Sequence, residues 1–139
     1  SQVVILCPVV VQGLLVFGVA MLMSGARRRA IPVMQMQRGE LALGKAPWPE
    51  DAVKRAANYT NQFELPVLFY AVVAFALIVK GADTIMIVLA WIFVLSRVLH
   101  AAIHIGPNKI RQRTPAFALG FLVVFLMWVK LAVHVIGSA

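Results

Sequence analysis

The fold that this sequence predicts is an all-α membrane protein: a single four-transmembrane-helix bundle spanning residues 1–139. Three observations predict it. The 139 residues are 62% hydrophobic and only 13% charged, whereas soluble domains carry about 45–50% apolar and 25% charged residues. Four apolar runs reach roughly the 20 residues that cross a bilayer as a helix. None of them alternates with period two, and in lipid only helices or closed barrels satisfy every backbone polar group.

The first run is Val3 to Met23, with Pro8 in its second turn. It lacks a basic stretch before it, and Gly25 to Arg29 make a poor cleavage site, so it is expected as a retained span rather than a signal peptide. Cys7 is the only cysteine. It allows no intramolecular disulfide and is expected to be a small buried apolar side chain. The second run, about 52–79, is polar in its first third and apolar thereafter. Pro66 removes a hydrogen bond to the Gln62 carbonyl and is expected to kink it. The third run covers about 84–105. The fourth covers about 116–136 and is opened by Pro115.

The connections differ in kind. Ser24 to Glu50 is long and basic, punctuated by Pro32, Gly39, Gly44, Pro47 and Pro49; Lys80 to Asp83 is a tight turn; Gly106 to Pro115 is short and basic. Arg27, Arg28, Arg29, Arg38, Lys45, Lys54 and Arg55 lie in or beside the first connection, and Lys109, Arg111 and Arg113 lie in the third. Lys80 and Lys130 are what remains for the opposite side. The positive-inside rule therefore places loops one and three in the cytoplasm and both termini on the other side. The net charge of +8 is explained by topology and by anionic membrane lipids as partners, not by nucleic acid. Trp48, Trp91 and Trp128 fit interface anchoring or packing.

Ionisable residues inside a membrane are costly and mark function or interhelical pairing. On the second helix, Asn61 and Glu64 are three apart and expected on one face, with Asn58 a turn away. On the third, Arg97, His100 and His104 follow the 3, 4 spacing of one face. The second helix leaves the cytoplasmic side and the third returns to it, so these residues share a membrane level with Arg113. A Glu64–Arg97 ion pair is the simplest way to satisfy both charges. Structural hydrogen bonding across the bundle is the plain alternative. His100, His104 and Glu64 also form a thin metal-ligand pattern, and no metal is expected.

At these residues the chain resembles the MAPEG family, the membrane-associated proteins in eicosanoid and glutathione metabolism. Asn61-x-x-Glu64 followed by Pro66, then Arg97-x-x-His100-x-x-x-His104, then Arg113-Thr114 before the last span carry the resemblance, in family order over nearly the whole chain. It looks like a bacterial-type member, placed in a bacterial inner membrane. The resemblance implies a homotrimer with sites between subunits near the cytoplasmic side. It implies glutathione as cofactor, its thiol activated and presented to a lipophilic electrophile. By position, Asn61 and Glu64 match the family's residues that hold glutathione's polar groups, and Arg97, His100, Lys54 and Arg111 are further cofactor-binding candidates. Arg113 matches the arginine that stabilises the thiolate, with His104 as the second catalytic candidate. The chain departs from the family where Ala57 and Thr60 replace arginines that grip carboxylates, and where His104 replaces a tyrosine.

Two functions are therefore expected: a glutathione-dependent transferase or peroxidase, or a non-catalytic lipid-binding or accessory subunit of a larger membrane complex. A small transporter or proton pathway through Glu64 and the histidines is the third reading.

Overall fold

The computed structural model describes residues 2–34 and 38–138. Its order is a 3-10 turn (Gln2–Ile5), α1 (Leu6–Ala30), α2 (Arg38–Ala42), α3 (Glu50–Asn61), α4 (Leu65–Ile78), α5 (Thr84–Ile105) and α6 (Ile110–Gly137). Four segments are long and apolar enough to cross a membrane: Gln2–Ala30, Glu50–Ile78, Thr84–Ile105 and Ile110–Gly137. No strand occurs among the described residues. The side chain of Arg38 lies outside what is described.

The spans differ from the expected ones in instructive ways. α1 continues through Arg27, Arg28 and Arg29, because Ser24 and Gly25 do not stop a helix. It ends at Ala30, with Ile31 capping before Pro32. Arg27 then lies over the Trp48 ring at 5.2 Å and ties loop one to α1. α6 starts at Ile110, so Arg111 and Arg113 are in its first turns and Pro115 sits inside it.

The second span is two helices rather than one kinked helix. Gln62 N–H turns back to the Tyr59 carbonyl at 3.0 Å and Phe63 N–H to Thr60 at 2.9 Å, closing α3. Pro66 occupies the first turn of α4, where its missing N–H costs nothing. The chain thus relieves the proline by restarting the helix instead of bending it.

The opposite end of α4 closes with a Schellman motif built on Lys80 at φ +56°. Gly81 N–H reaches the Ala76 carbonyl at 2.7 Å and Lys80 N–H reaches Leu77 at 3.2 Å. Asp83 then caps α5 by accepting from Met86 N–H at 2.9 Å, and it pairs with Lys130 at 2.6 Å. Lys130 holds the Asp83 carboxyl below the usual carboxylate range, with Met86 N–H helping. The folded-state pKa is depressed, so the stabilisation is present above the unfolded value near 4 and fades as pH falls through the folded value. Asp83 is half exposed, and screening keeps the effect under about 1 kcal/mol. Thermal melts in detergent from neutral pH to below pH 3 are expected to fall slightly more for the native chain than for Asp83→Asn.

The core lies between α4, α5 and α6. Phe69 stacks on Phe93 at 4.5 Å, with Met86, Met127, Val72 and Val94 closed around them. Outward side chains such as Phe17 (69% exposed) and Met21 (74%) are apolar, as a lipid-facing surface requires, and Cys7, expected to be buried, is exposed on this outer surface of α1 instead. Gly120 brings α6 tight against α5: an added Cβ would sit 2.9 Å from Ser96 Oγ, 3.6 Å from Arg97 Cδ and 3.8 Å from Phe93 Cε2. Small residues allow such approach between membrane helices. Gly120→Val is expected to destabilise by about 1–3 kcal/mol through overpacking. Gly13→Ala, where a Cβ meets nothing within 4 Å, is expected to be neutral or stabilising. Unfolding in mixed micelles compares the two.

Candidate functional site

The end of α3, the last turns of α5 and the start of α6 meet at one end of the bundle. Asn61, at the end of α3, faces α5. Its Nδ2 lies 3.5 Å from His100 Nε2 and 3.4 Å from His104 Nδ1. Its backbone carbonyl accepts from Arg97 Nη2 at 3.3 Å. His100 Nδ1 reaches the Arg113 carbonyl at 3.3 Å, which joins α5 to α6. Arg113 Nη1 donates to Asn108 Oδ1 at 2.9 Å, so the turn before α6 aims its guanidinium. Asn61, His100, Arg113, Thr114 and Phe117 line an open cleft of about 240 Å³.

Arg97, His100 and His104 are all buried, on the one face of α5 that their spacing predicts. Arg97 lies 5.8 Å from the Phe117 ring, and its Nε and Nη1 are buried without a hydrogen-bond partner among the described residues. The expected Glu64–Arg97 ion pair is not formed. Glu64 occupies the N-cap position of α4, where its side chain makes no capping hydrogen bond and is exposed. The helix break is the cause: Asn61 ends one helix and Glu64 precedes the next, so they no longer share a face. Lys54 is half-buried one to two turns before Asn61, and Arg111 is exposed on α6. Arg55 pairs with Asp51 at 3.0 Å instead of facing the cluster. Among the described residues, no three His, Cys, Asp or Glu side chains group as a metal site.

Sequence reasoning missed a second polar layer behind this cluster. Gln12 on α1 donates to Gln62 Oε1 at 3.1 Å, and Gln62 donates to Asn58 Oδ1 and the Asn58 carbonyl at 3.3 Å each. Asn58 Nδ2 reaches the Ala101 carbonyl at 3.5 Å. Gln12 and Asn58 are 0% exposed and Gln62 is 1%. The available signal was Gln12 itself, a lone amide inside an apolar run, which in lipid demands an interhelical partner. Gln62→Ala is expected to cost about 1–3 kcal/mol by leaving Gln12 and the side-chain oxygen of Asn58 unpaired. The double variant Gln12→Leu/Gln62→Leu is expected to recover part of that loss in the same unfolding assay.

A family model described as the MAPEG family matches residues 5–133. The chain belongs to the MAPEG family. It is thus a multi-pass integral membrane protein of the family tied to glutathione and eicosanoid metabolism. Neither a curated protein nor a solved structure matches it. The match takes in every residue of the cleft and of the polar layer behind it.

Proposed function

We propose that this MAPEG protein is a glutathione-dependent membrane transferase or peroxidase acting on lipophilic electrophiles, assembled as a homotrimer with loops one and three in the cytoplasm. The observation that carries the reading is the cleft itself, in which an aimed guanidinium, a hydroxyl and an amide converge beside apolar Phe117 at the end of the bundle. Glutathione supplies a thiol that is only weakly ionised at neutral pH, and a nearby cation lowers a thiol's pKa. Arg113 is the cation in place for this. Thr114 and Asn61 offer hydrogen bonds that orient a peptide, and Phe117 shields the thiol from water.

The donor set fits a small anionic peptide. A cleft of about 240 Å³ is below the roughly 300–1,000 Å³ of complete small-molecule sites. A neighbouring subunit that completes the wall accounts for this, and the exposed Glu64 is then available to that shared site. The apolar outer surface lets electrophiles reach the cleft from the bilayer.

One observation favours the second reading, a non-catalytic lipid-binding or accessory subunit. Ala57 and Thr60 are exposed, and Thr60 Oγ1 is turned to its own helix at the Ala56 carbonyl, so no cation stands there to hold a carboxylate. Turnover decides between them. Protein in nanodiscs is offered glutathione with an electron-poor aryl halide and, separately, a lipid hydroperoxide. The enzyme reading expects glutathione-dependent product formation above the spontaneous rate. Absence of turnover together with a stoichiometric co-purifying partner would favour the accessory role.

A further inference from the structure

The hydrogen bonds around Asn61 determine where the protons of both histidines sit. A carbonyl oxygen only accepts, so His100 Nδ1, 3.3 Å from the Arg113 carbonyl, carries a hydrogen. A neutral imidazole has one N–H, which leaves His100 Nε2 as an acceptor. The group facing it at 3.5 Å is Asn61 Nδ2, a donor. That amide nitrogen has a second hydrogen, and His104 Nδ1 is 3.4 Å away. His104 Nδ1 is then an acceptor too, and its proton sits on Nε2. Turning the amide over would place Asn61 Oδ1 against His100 Nε2. A neutral His100 would then set one lone pair against another, and keeping the contact as a hydrogen bond would require an imidazolium, a second positive charge beside the Arg97 guanidinium that already holds the Asn61 carbonyl. That arrangement is disfavoured.

We propose that Asn61 is a positioning residue whose side-chain amide bridges His100 and His104 and fixes them in opposite tautomers, Nδ1–H on His100 and Nε2–H on His104. His100 then has both nitrogens committed and is a strut between α3, α5 and α6, not a base. His104 is left with an Nε2–H that has no partner among the described residues. As a donor it does not suit proton removal, and with the ring buried and outside the lining of the cleft it meets a thiolate only where the ligand reaches past Asn61. This chemical consequence rests on the thiol reading above, whereas the tautomer assignment does not.

The test is the 15N NMR spectrum of the histidine-labelled full chain in nanodiscs without glutathione, with His104→Gln used for assignment. The expected spectrum shows an unprotonated Nδ1 and a protonated Nε2 for His104, and the reverse for His100. Asn61→Asp replaces the donor by a carboxylate that only accepts, and it is expected to convert His104 Nδ1 to the protonated type. A protonated His104 Nδ1 in the native chain would overturn the proposal. So would an unchanged His104 spectrum in a folded Asn61→Asp protein. If Asn61→Asp does not fold, the native spectrum alone decides. Absence of glutathione binding leaves this result untouched.

Discussion

Replacing Arg113 by alanine is expected to lower glutathione-dependent turnover by about 100- to 1,000-fold, the usual loss on removing one preorganised donor from developing negative charge. Arg113 is half-buried and held through Asn108, and its carbonyl, not its side chain, supports His100. The substitution therefore leaves the fold in place. In the proposed enzyme the loss is expected in kcat and, more modestly, in glutathione affinity, because the guanidinium would stabilise the bound thiolate as well as the charge that develops on it. The pH–rate profile adds a second readout. Without the cation the bound thiol ionises at higher pH, so the rising limb shifts toward alkaline values. Arg113→Lys, which keeps a charge but loses the planar fork, is expected to fall between the two.

The second large effect separates packing from charge at Arg97. This side chain is 0% exposed and has two buried nitrogens without partners among the described residues. Arg97→Ala removes a long side chain from the junction of α3, α5 and α6, and is expected to cost about 2–5 kcal/mol as a cavity. Arg97→Met fills most of that volume without burying a charge. It is expected to be neutral or stabilising, as replacements of buried ionic groups often are. If the charge serves the site rather than the fold, Arg97→Met still loses glutathione-dependent turnover. Unfolding and turnover measured on both variants distinguish these roles. Equal destabilisation by alanine and methionine would contradict the argument.

Much of this architecture was legible because lipid is a strict solvent. The runs at 84–105 and 116–136 could be nothing but helices, and the 3, 4 spacing of Arg97, His100 and His104 placed all three on one buried face. Periodicity assumes an unbroken helix, however, and that is where it failed. The interruption at Gln62 to Glu64 leaves Glu64 exposed and without an ion pair to Arg97. Proline was visible in the sequence; that the helix restarts there instead of bending was not. Beside the break the side chain of Gln12, on a different helix, donates to the side-chain oxygen of Gln62. Such a contact spans fifty positions and has no local pattern. The role of His104 was also beyond composition and spacing, because its proton position depends on an amide that a separate helix delivers.

The central claim is that the cleft between Asn61 and Arg113 holds glutathione, and calorimetric titration of the detergent-purified protein tests it most directly. The expected result is saturable binding with a Kd between about 1 µM and 1 mM, worth roughly −8 to −4 kcal/mol, and weakened by Arg113→Ala. Absence of binding at glutathione concentrations well above that range, or binding that Arg113→Ala leaves unchanged, would contradict it.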